Sequence, residues 1–353
     1  MGSSRHENRM SPGVSVIICC HNSATRLPET LRHLAAQQVP DNLPWEIVVV
    51  DNASTDETAA IALRNWPGTA PLRVVPEPQP GLNHARRRGI LEARHEIISL
   101  IDDDNWVAAD WIRRVQSIFA ANPGVGACGG KSEAVTEIDP PAWFENIKGF
   151  YAIGSQHRKN GDVTDAPGTL LWGAGLNLRA AAFHELLARH FEFSVQDRKG
   201  AQLSTGGDTE TCFALRASGW RLWYDDALLL RHFVPRERLR WDYALRLMQG
   251  MGRASVLFDL YLSALGCPPF DAYPAWKKTW LFQLLKVLRQ WATVVLFHPW
   301  DCLLEPEGSS SALTFATIRG RLAMLWSMRG RYQELRTLIA GSAWAKPPGK
   351  KPA

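Results

Sequence analysis

Short continuous apolar runs recur along the first hundred residues and alternate with stretches of helical periodicity. In residues 27–35 the apolar side chains return every three or four positions, which predicts a helix with one buried face. The continuous runs instead predict buried strands. These runs cover residues 14–20, 45–50, 72–75 and 97–101.

Two further helices are predicted from the residues at their ends. Ser54 with Glu57 three positions later is a capping-box pattern and predicts a helix to about Asn65. Gly81 precedes helical character through Ala93. Strands that alternate with helices are typical of parallel βαβ units, so this part predicts an α/β fold. The first strand is followed by neither a dinucleotide-binding glycine motif nor a Walker lysine loop.

The middle of the chain continues with weaker signals. The pattern predicts a helix over residues 111–121, then a small strand over 125–130. Residues 139–170 contain proline and glycine without periodicity and predict a long mobile loop. Gly173-Ala174-Gly175 would let a ligand approach the backbone. Gly207 opens a helix that ends near Gly219, and residues 220–230 have strand character.

Three consecutive carboxylates, Asp102-Asp103-Asp104, follow the predicted strand over residues 97–101. Such a triplet is unfavourable unless a positive group neutralises it, and ligands of open α/β sheets bind beyond the carboxyl ends of the strands. Mg²⁺ and Mn²⁺ prefer oxygen ligands and bridge carboxylates to substrate phosphates. The triplet therefore predicts a site for a divalent cation with a phosphate-bearing ligand, and a solvated acidic turn is the alternative.

Composition indicates a globular protein with an uneven charge distribution. The 353 residues are 46% hydrophobic and 21% charged, with a net charge of +5. From Arg236 onwards there are 17 Lys and Arg against 8 Asp and Glu, and seven of the 15 Trp. Basic charge with aromatic residues fits an anionic membrane surface. Nucleic acid is the competing partner for basic charge, but no nucleic-acid-binding motif is present, so we expect none.

The six cysteines show no Cys-x-x-Cys spacing and several lie in apolar runs, which favours a reducing compartment over disulfides or a zinc ribbon. The first residues have no apolar core typical of a signal peptide, and Met1-Gly-Ser-Ser resembles part of an expression tag. We therefore expect a cytoplasmic protein, with peripheral contact to the inner face of the membrane as an addition.

The C-terminal part, residues 236–344, is predicted to be mostly helical. Its most apolar segment, residues 276–300, is interrupted by Lys286 and Arg289, so it is too polar to span a membrane. It predicts an amphipathic helix lying on a membrane surface. The alternative is an ordinary helix docked on the rest of the protein. Residues 1–11 and 345–353 are predicted to be flexible termini.

Five motifs, in order over residues 12–240, resemble those of family 2 glycosyltransferases, whose fold is GT-A, a Rossmann-like nucleotide-diphospho-sugar transferase fold. They include Val-Ser-Val-Ile-Ile-Cys-Cys-His-Asn, Val-Val-Val-Asp-Asn-Ala-Ser-Thr-Asp, Gly-Leu-Asn-His-Ala-Arg, the Asp triplet and Gly-Gly-Asp-Thr-Glu. The resemblance implies an inverting, metal-dependent transfer of a sugar from a nucleotide-diphosphate donor to a hydroxyl acceptor. It also implies a catalytic domain over residues 12–235, before the helical C-terminal extension.

The resemblance also implies a donor site for the nucleotide. Asp51 would accept a hydrogen bond from the donor's base, usually uracil, since an ionised carboxylate only accepts. His21 and Asn22 would lie beside the base and the ribose, or would only cap a helix. Arg86 would contact donor phosphate or fix the acidic loop. Arg87 stands where the family often has Asn, a departure at the donor site.

The acidic triplet matches the Asp-x-Asp motif in this resemblance. Asp104 would bind the metal, Mn²⁺ or Mg²⁺, and Asp102 would contact ribose or a metal-bound water. Asp103 lies between them and could assist. His232 could be an additional metal ligand, because some GT-A enzymes place a C-terminal histidine on the metal. A packed or surface histidine is the alternative.

In this resemblance Asp208 matches the catalytic base of the family. It would take the proton from the acceptor hydroxyl as that oxygen attacks the anomeric carbon. An Asp at the start of a helix is also a common N-cap. Glu210 would support the base or add first-turn charge. The acidic residue that usually precedes the base is replaced here by Gly207.

Two other functions remain open from the sequence. A non-catalytic nucleotide-sugar binding module could use the same fold, but it would not need Asp102, Asp104 and Asp208 together. A nucleotidyltransferase would need a glycine-rich basic loop after the first strand, and His21-Asn22-Ser23 does not resemble one. The sugar, the linkage and the acceptor, whether polysaccharide, glycolipid or a lipid-linked glycan, are not specified by these motifs.

Overall fold

A mixed β-sheet forms the centre of the molecule. The computed structural model describes residues 10–166, 170–193 and 206–345. Within these residues the sheet has nine strands. They are β1 Ser11–Cys20, β2 Trp45–Asn52, β3 Leu72–Glu77, β4 His95–Asp102, β5 Asn105–Val107, β6 Val125–Thr136, β7 Gly161–Asp162, β8 Leu176–Arg179 and β9 Arg221–Val234.

Helices flank the sheet and make up the C-terminal part. The first seven are α1 Leu27–Ala35, α2 Thr58–Arg64, α3 Leu82–Glu92, α4 Trp111–Ala121, α5 Phe144–Ile147, α6 Ala180–Ala188 and α7 Gly207–Ala217. The others are α8 Trp241–Leu265, α9 Trp280–Phe297, α10 Pro299–Leu304, α11 Ser310–Ser327 and α12 Tyr332–Gly341.

The first half of the sheet is parallel, as the apolar runs predict. The strand order is β3-β2-β1-β4-β8-β6-β9-β5, with β7 beside β9, and neighbours among β3, β2, β1 and β4 are parallel. The apolar residues of β1, β2 and β4 are buried on both faces, which is why their sequences are continuous rather than alternating. Cys20 is in register with Asp51, and Cys19 with Asp102, so both acidic residues lie at the same sheet edge.

The second half of the sheet departs from a purely parallel arrangement. Strand β8 is antiparallel to both β4 and β6, and β5 is antiparallel to β9. Strands β6 and β9 run to Thr136 and Val234, several residues beyond the predicted ends. The extension of β9 matters for the site because it places His232 within a strand opposite Asn105.

Two local predictions are wrong. Residues 139–170 are not one long loop in their described part, because they contain α5, a 3₁₀ turn and β7. Here Phe144 and Tyr151 are buried. The capping box is also absent, since α2 begins at Thr58 and its N-cap Glu57 makes no side-chain cap bond. The Ser54 hydroxyl instead accepts a hydrogen bond from the Asn22 N–H at 3.1 Å.

The C-terminal helices pack directly against the sheet domain. One continuous cluster of buried apolar side chains includes Phe213 of α7 together with Val256 and Tyr261 of α8. Helix α8 crosses α11 closely at Gly252, where a Cβ atom would lie 2.0 Å from the Thr317 carbonyl oxygen. Such close backbone approach requires glycine. Helix α8 is therefore a buried core helix, whereas α9 and α10 lie on the outside.

Candidate active site

Of the three consecutive carboxylates, Asp102 ends β4, and Asp103 and Asp104 form the tight turn to β5, at the carboxyl edge of the parallel strands. The Asn105 side-chain oxygen closes this turn by accepting a hydrogen bond from the Asp102 N–H at 3.3 Å. Side chains at successive positions of such a turn point in different directions. Each carboxylate consequently has its own surroundings.

Asp104 lies in a buried pocket of positive groups. Its carboxylate is 3.2 Å from Arg238 Nη1 and 3.5 Å from His232 Nε2, and it accepts a hydrogen bond from Asn105 Nδ2 at 3.0 Å. Burial favours the neutral acid, but the charges of His232 and Arg238 outweigh it and hold the pKa of Asp104 well below its usual range. Asp104 is therefore ionised at neutral pH.

Asp103 turns away from Asp104 towards helix α1. Arg26 contacts its Oδ2 with two nitrogens at 2.7 and 3.2 Å, and the Thr30 hydroxyl donates to the Asp103 carbonyl oxygen at 2.8 Å. Burial, followed by the charge of Asp104, raises the pKa of Asp103 despite Arg26. This ion pair joins the acidic turn to the start of α1, so in this structure the Asp103 side chain stabilises the turn.

Asp102 is the most exposed of the three carboxylates and is 3.7 Å from Arg86 Nη2. Burial raises the pKa of Asp102 more than Arg86 lowers it, and the charge of Asp104 adds to the increase. Arg86 itself is only 8% exposed. Of its two predicted roles, fixing the acidic loop matches this contact, and the contact with donor phosphate stays a prediction.

Gly173 lies against Arg86 rather than beside an open ligand space. A Cβ atom at Gly173 would be 2.5 Å from Arg86 Nη2. At Gly175, with φ of +71°, a Cβ atom would be 2.5 Å from Leu230. The expectation that a ligand approaches the backbone at these glycines is therefore wrong, because protein side chains already fill the space.

Asp208 lies in the first turn of α7 and faces Gly173. Its Oδ2 accepts a hydrogen bond from the Gly173 N–H at 2.7 Å, and its Oδ1 accepts one from the Thr209 N–H at 2.9 Å. The N-cap of α7 is Gly206, so the alternative of Asp208 as the N-cap is wrong. An ionised carboxylate has about four acceptor positions, so these two bonds orient the group and leave capacity for a further hydroxyl.

Glu210, two positions after Asp208 in α7, is completely buried. Its Oε1 accepts a hydrogen bond from the Tyr261 hydroxyl at 2.6 Å. Tyr261 belongs to α8, so this bond joins the C-terminal helices to the helix that carries Asp208. A supporting role for Glu210 stays a prediction. Because Glu210 is completely buried, it does not contact a substrate directly in this arrangement.

Asp51, His21 and Asn22 lie together at the ends of β1 and β2. The Asp51 Oδ1 atom is buried and has no hydrogen-bond partner in the described part of the chain. His21 Nδ1 is 2.8 Å from the Asn52 carbonyl oxygen. Asn22 has φ of 51°, and its Oδ1 accepts a bond from the Thr55 N–H at 2.8 Å. Asn22 thus holds the loop, whereas Asp51 presents an unused acceptor.

Two arginines at the site escape the sequence analysis. Arg26 precedes α1 and Arg238 lies in the 3₁₀ turn before α8, and both bind carboxylates of the acidic turn. Arg238 stands in a basic run, which was the available signal. Nothing along the chain relates either arginine to a turn that lies 77 or 134 positions away.

The carboxylates and His232 provide the kind of ligands that Mn²⁺ or Mg²⁺ uses. Among residues 10–166, 170–193 and 206–345, no three His, Cys, Asp or Glu side chains form a metal-binding group. Mg²⁺ commonly takes one or two carboxylates together with substrate phosphates and waters. The ionised Asp104, with Asp102 two positions away, fits this pattern.

The sheet and the acidic edge define an α/β fold of the GT-A class. Two solved structures share it over most of their length. A mannosyltransferase of Pyrobaculum calidifontis, in complex with GDP-Man and Mn²⁺, is 20% identical with a TM-score of 0.51, covering 91% of this chain and 89% of that one. TarS of S. aureus, residues 1–349 in complex with UDP-GlcNAc, is 16% identical with a TM-score of 0.50, covering 90% and 91%. These likenesses establish the fold alone.

Sequence comparisons relate part of this chain to a known family. Residues 15–173, somewhat less than half of the chain, match the model of glycosyl transferase family 2. Glycosyltransferase AglE of Haloferax volcanii is 32% identical over 123 residues, which cover 35% of this chain and 40% of AglE. The match to EpsH of Bacillus subtilis covers 30% of that protein, so this chain spans about a third of the length of such curated relatives. The predicted resemblance to family 2 and the predicted GT-A fold are confirmed.

Proposed function

We propose that this protein is an inverting glycosyltransferase. It moves a sugar from a nucleotide-diphosphate donor, which we take to be UDP-linked, to a hydroxyl group of a glycan or glycolipid acceptor. The proposal rests mainly on the contacts that join the two halves of the site. Asp208 accepts the Gly173 N–H, Gly173 packs against Arg86, and Arg86 lies 3.7 Å from Asp102. A base and a donor-binding turn are thereby held in one rigid unit.

Asp208 acts as the base in this proposal. The hydrogen bonds from Gly173 and Thr209 hold its carboxylate in place. It takes the proton of the acceptor hydroxyl while that oxygen forms a bond to the anomeric carbon. The bond from that carbon to the diphosphate breaks at the same time, and the nucleoside diphosphate leaves on the opposite side. The configuration at the anomeric carbon is therefore inverted.

The acidic turn binds the donor diphosphate in this proposal. Asp104 would hold Mn²⁺ or Mg²⁺, with His232 beside it as an additional ligand. The bound metal would offset the negative charge on the leaving diphosphate. Arg26 and Arg86 keep Asp103 and Asp102 in place by ion pairing.

The proposed role of Asp51 in binding the nucleobase of the donor is supported by a side-chain oxygen that accepts no hydrogen bond in the described part of the chain. A buried carboxylate oxygen without a partner is unfavourable unless a ligand donates to it. The Oδ1 atom of Asp51 is such an oxygen. The imide N–H of uracil or thymine would satisfy it, with His21 and Asn22 next to the nucleoside. For this reason we favour a UDP donor. TarS, one of the two similar structures, contains a UDP-sugar, whereas the mannosyltransferase contains GDP-Man.

We further propose a cytoplasmic location. The six cysteines are thiols rather than disulfides in the structure, and Cys20, Cys128 and Cys212 are buried. Thiols throughout are typical of a reducing compartment. To test this location, intact cells are treated with a membrane-impermeant thiol or amine reagent and the protein is then recovered. Labelled protein would contradict the proposal.

The experiment that tests the activity is a donor screen. Purified protein is incubated with UDP-, dTDP- and GDP-sugars, with Mn²⁺ or Mg²⁺ and then with a chelator, and release of the nucleotide is followed. Asp208→Asn is tested alongside, with the exposed Asp41→Asn as a matched control. We expect metal-dependent release from UDP-sugars that Asp208→Asn abolishes and Asp41→Asn leaves unchanged.

Other outcomes separate the alternatives. Binding of a nucleotide sugar with no release, even with a range of glycan acceptors, would favour a binding module. Release that persists in Asp208→Asn would refute the role of the base. No binding of any donor, with or without metal, would refute the proposed site.

A further inference from the structure

Helices α9 and α10 carry an apolar surface that faces outwards. Among the described residues, ten of the sixteen exposed large apolar side chains lie between positions 276 and 304. In α9 only Gln283 and Val287 are buried, so little of this helix faces the protein. We use the term outer apolar face for the side chains of Leu281, Leu285, Leu288, Leu296, Trp300 and Leu303.

The spacing of these residues places them on one side. Leu281, Leu285, Leu288 and Leu296 are separated by intervals of three, four and eight positions, which is one stripe of an α-helix. Helix α10 begins directly after α9, at Pro299, and exposes Trp300 at 70% and Leu303 at 73%. Contiguous exposed apolar surface of this kind is uncommon on monomeric proteins and marks a docking surface.

Unpaired basic groups border the outer apolar face. On α9, Arg289 lies beside the apolar stripe, and Lys286 lies further round the helix on the same flank. Both line a cleft of about 790 Å³ between α9 and α11. A third cation in this cleft, Arg321, is paired with Asp259 at 3.0 Å. Among the described residues Lys286 and Arg289 form no ion pair, and the charge of Asp259 acts on Lys286 only from beyond ion-pair distance, so both charges are available to an anionic partner.

We propose that α9 and α10 dock this protein on an anionic lipid bilayer. The outer apolar face enters the region between headgroups and acyl chains, and Lys286 and Arg289 meet the headgroup phosphates. Among the described residues, none of the helices has the length and apolarity needed to cross a membrane. A helix with one apolar side and a basic flank binds in the plane of the interface instead.

Charge distinguishes a bilayer from a second copy of the chain. The carboxylates nearest in sequence, Asp301, Glu305 and Glu307, are each engaged within the chain, by Ser309, Arg319 and Trp143 respectively. Two copies that paired through this face would therefore bring the basic residues of both flanks together. An anionic bilayer provides the opposite charge over its whole surface. Trp291 and Trp300, which are both exposed, add the amphipathic rings that concentrate at headgroup level.

Vesicle flotation with the full-length chain tests this proposal. The vesicles contain phosphatidylcholine alone or phosphatidylcholine with 30% phosphatidylglycerol, at low and high salt. We expect flotation with the anionic vesicles only, weakened by salt. Lys286→Gln with Arg289→Gln should weaken binding about 30-fold, because two basic residues leave the surface. Leu296→Ser with Leu303→Ser should weaken it at least about 10-fold.

Matched control variants distinguish docking from general loss of charge or apolarity. Arg158→Gln with Lys159→Gln makes the same change of charge at exposed positions outside these helices. Leu63→Ser with Leu91→Ser makes the same change of apolarity at exposed positions of α2 and α3. Both control pairs should float like the original protein.

Three results would overturn the proposal. They are flotation that does not depend on lipid charge, equal losses in the control pairs, and no flotation with any vesicle. If sedimentation velocity instead shows a dimer that the Leu296→Ser and Leu303→Ser pair dissociates, while vesicles bind nothing, a second copy covers this face. The measurement requires no nucleotide sugar, so its outcome is independent of the proposed transferase activity.

Discussion

The contact between Gly173 and Arg86 provides a direct test of how the site is held together. Replacing Gly173 with alanine would place a methyl carbon 2.5 Å from Arg86 Nη2, and 3.1 and 3.2 Å from the two nearest other guanidinium atoms. Favourable contacts between non-bonded heavy atoms lie at about 3.5–4.0 Å. The guanidinium group must therefore move by about 1 Å, or the backbone at position 173 must move by as much.

Either movement reaches a residue proposed to act in catalysis. Arg86 is 8% exposed, so its guanidinium has little free space, and it is 3.7 Å from Asp102. The Gly173 N–H donates to Asp208 Oδ2 at 2.7 Å, so a shift of this backbone displaces the base. A misplacement of 1 Å at reacting groups costs about 100-fold in rate. Overpacking of a buried position costs about 1–3 kcal/mol of stability.

We expect Gly173→Ala to lower kcat for nucleotide release by about 10- to 100-fold, with a smaller effect on KM, because the site is displaced rather than removed. Steady-state kinetics and urea unfolding would measure both effects. Gly149→Ala is the matched control, since no atom lies within 4 Å of the added methyl group. It should leave both quantities unchanged.

A double variant tests whether the added methyl group lowers kcat through its contact with Arg86. If the methyl group acts by striking the guanidinium, Gly173→Ala should have little further effect in an Arg86→Ala background, giving strong non-additivity. Additive losses would mean that the backbone hydrogen bond to Asp208, not Arg86, transmits the damage. Unchanged kcat and unchanged stability in Gly173→Ala alone would refute the reasoning.

Three other substitutions probe the scaffold, each measured by urea unfolding. Tyr261→Phe removes the donor to the buried Glu210 carboxylate and should cost about 1–3 kcal/mol. Gly252→Ala places a methyl group 2.0 Å from a backbone carbonyl of α11 and should destabilise, whereas Gly341→Ala, with open space around it, should not. Burial opposes ionisation of Glu46, but its hydrogen bonds and Arg73 lower its pKa overall. Ionised Glu46 should therefore stabilise the fold fully above its unfolded-state pKa of about 4.3, and this stabilisation should disappear as the pH falls through the lower folded-state pKa. Glu46→Gln should accordingly flatten the decline of the free energy of unfolding at acid pH.

The parallel half of the sheet could be predicted because its evidence is local. A strand buried on both faces must be apolar at every position, so β1, β2 and β4 are visible as continuous runs. The carboxyl ends of parallel strands meet at one edge, which places Asp51 and Asp102 together without knowledge of the fold. Motif order and spacing then indicated the family that the comparisons support.

Other features depend on contacts between distant segments. Nothing in the local sequence relates Tyr261 to Glu210 or Arg238 to Asp104. A missing side chain at Gly173 looks the same in the sequence whether a ligand or an arginine fills the space, which is why the prediction of a ligand there is wrong. The capping box at Ser54 failed for a related reason, since its hydroxyl bonds to Asn22 of the neighbouring loop.

The sequence by itself determined which segments are strands and helices in the first half, and which chemical groups end up at the sheet edge. Both follow from burial periodicity and from the polarity of the strands, which are properties of neighbouring residues. Only the tertiary structure decided the protonation and orientation of those groups. Carboxylates as similar as Asp102, Asp103 and Asp104 differ because Arg86, Arg26 and Arg238, from three separate elements, meet them individually. Electrostatic energy depends on distance in space and on burial, and neither is set by separation along the chain.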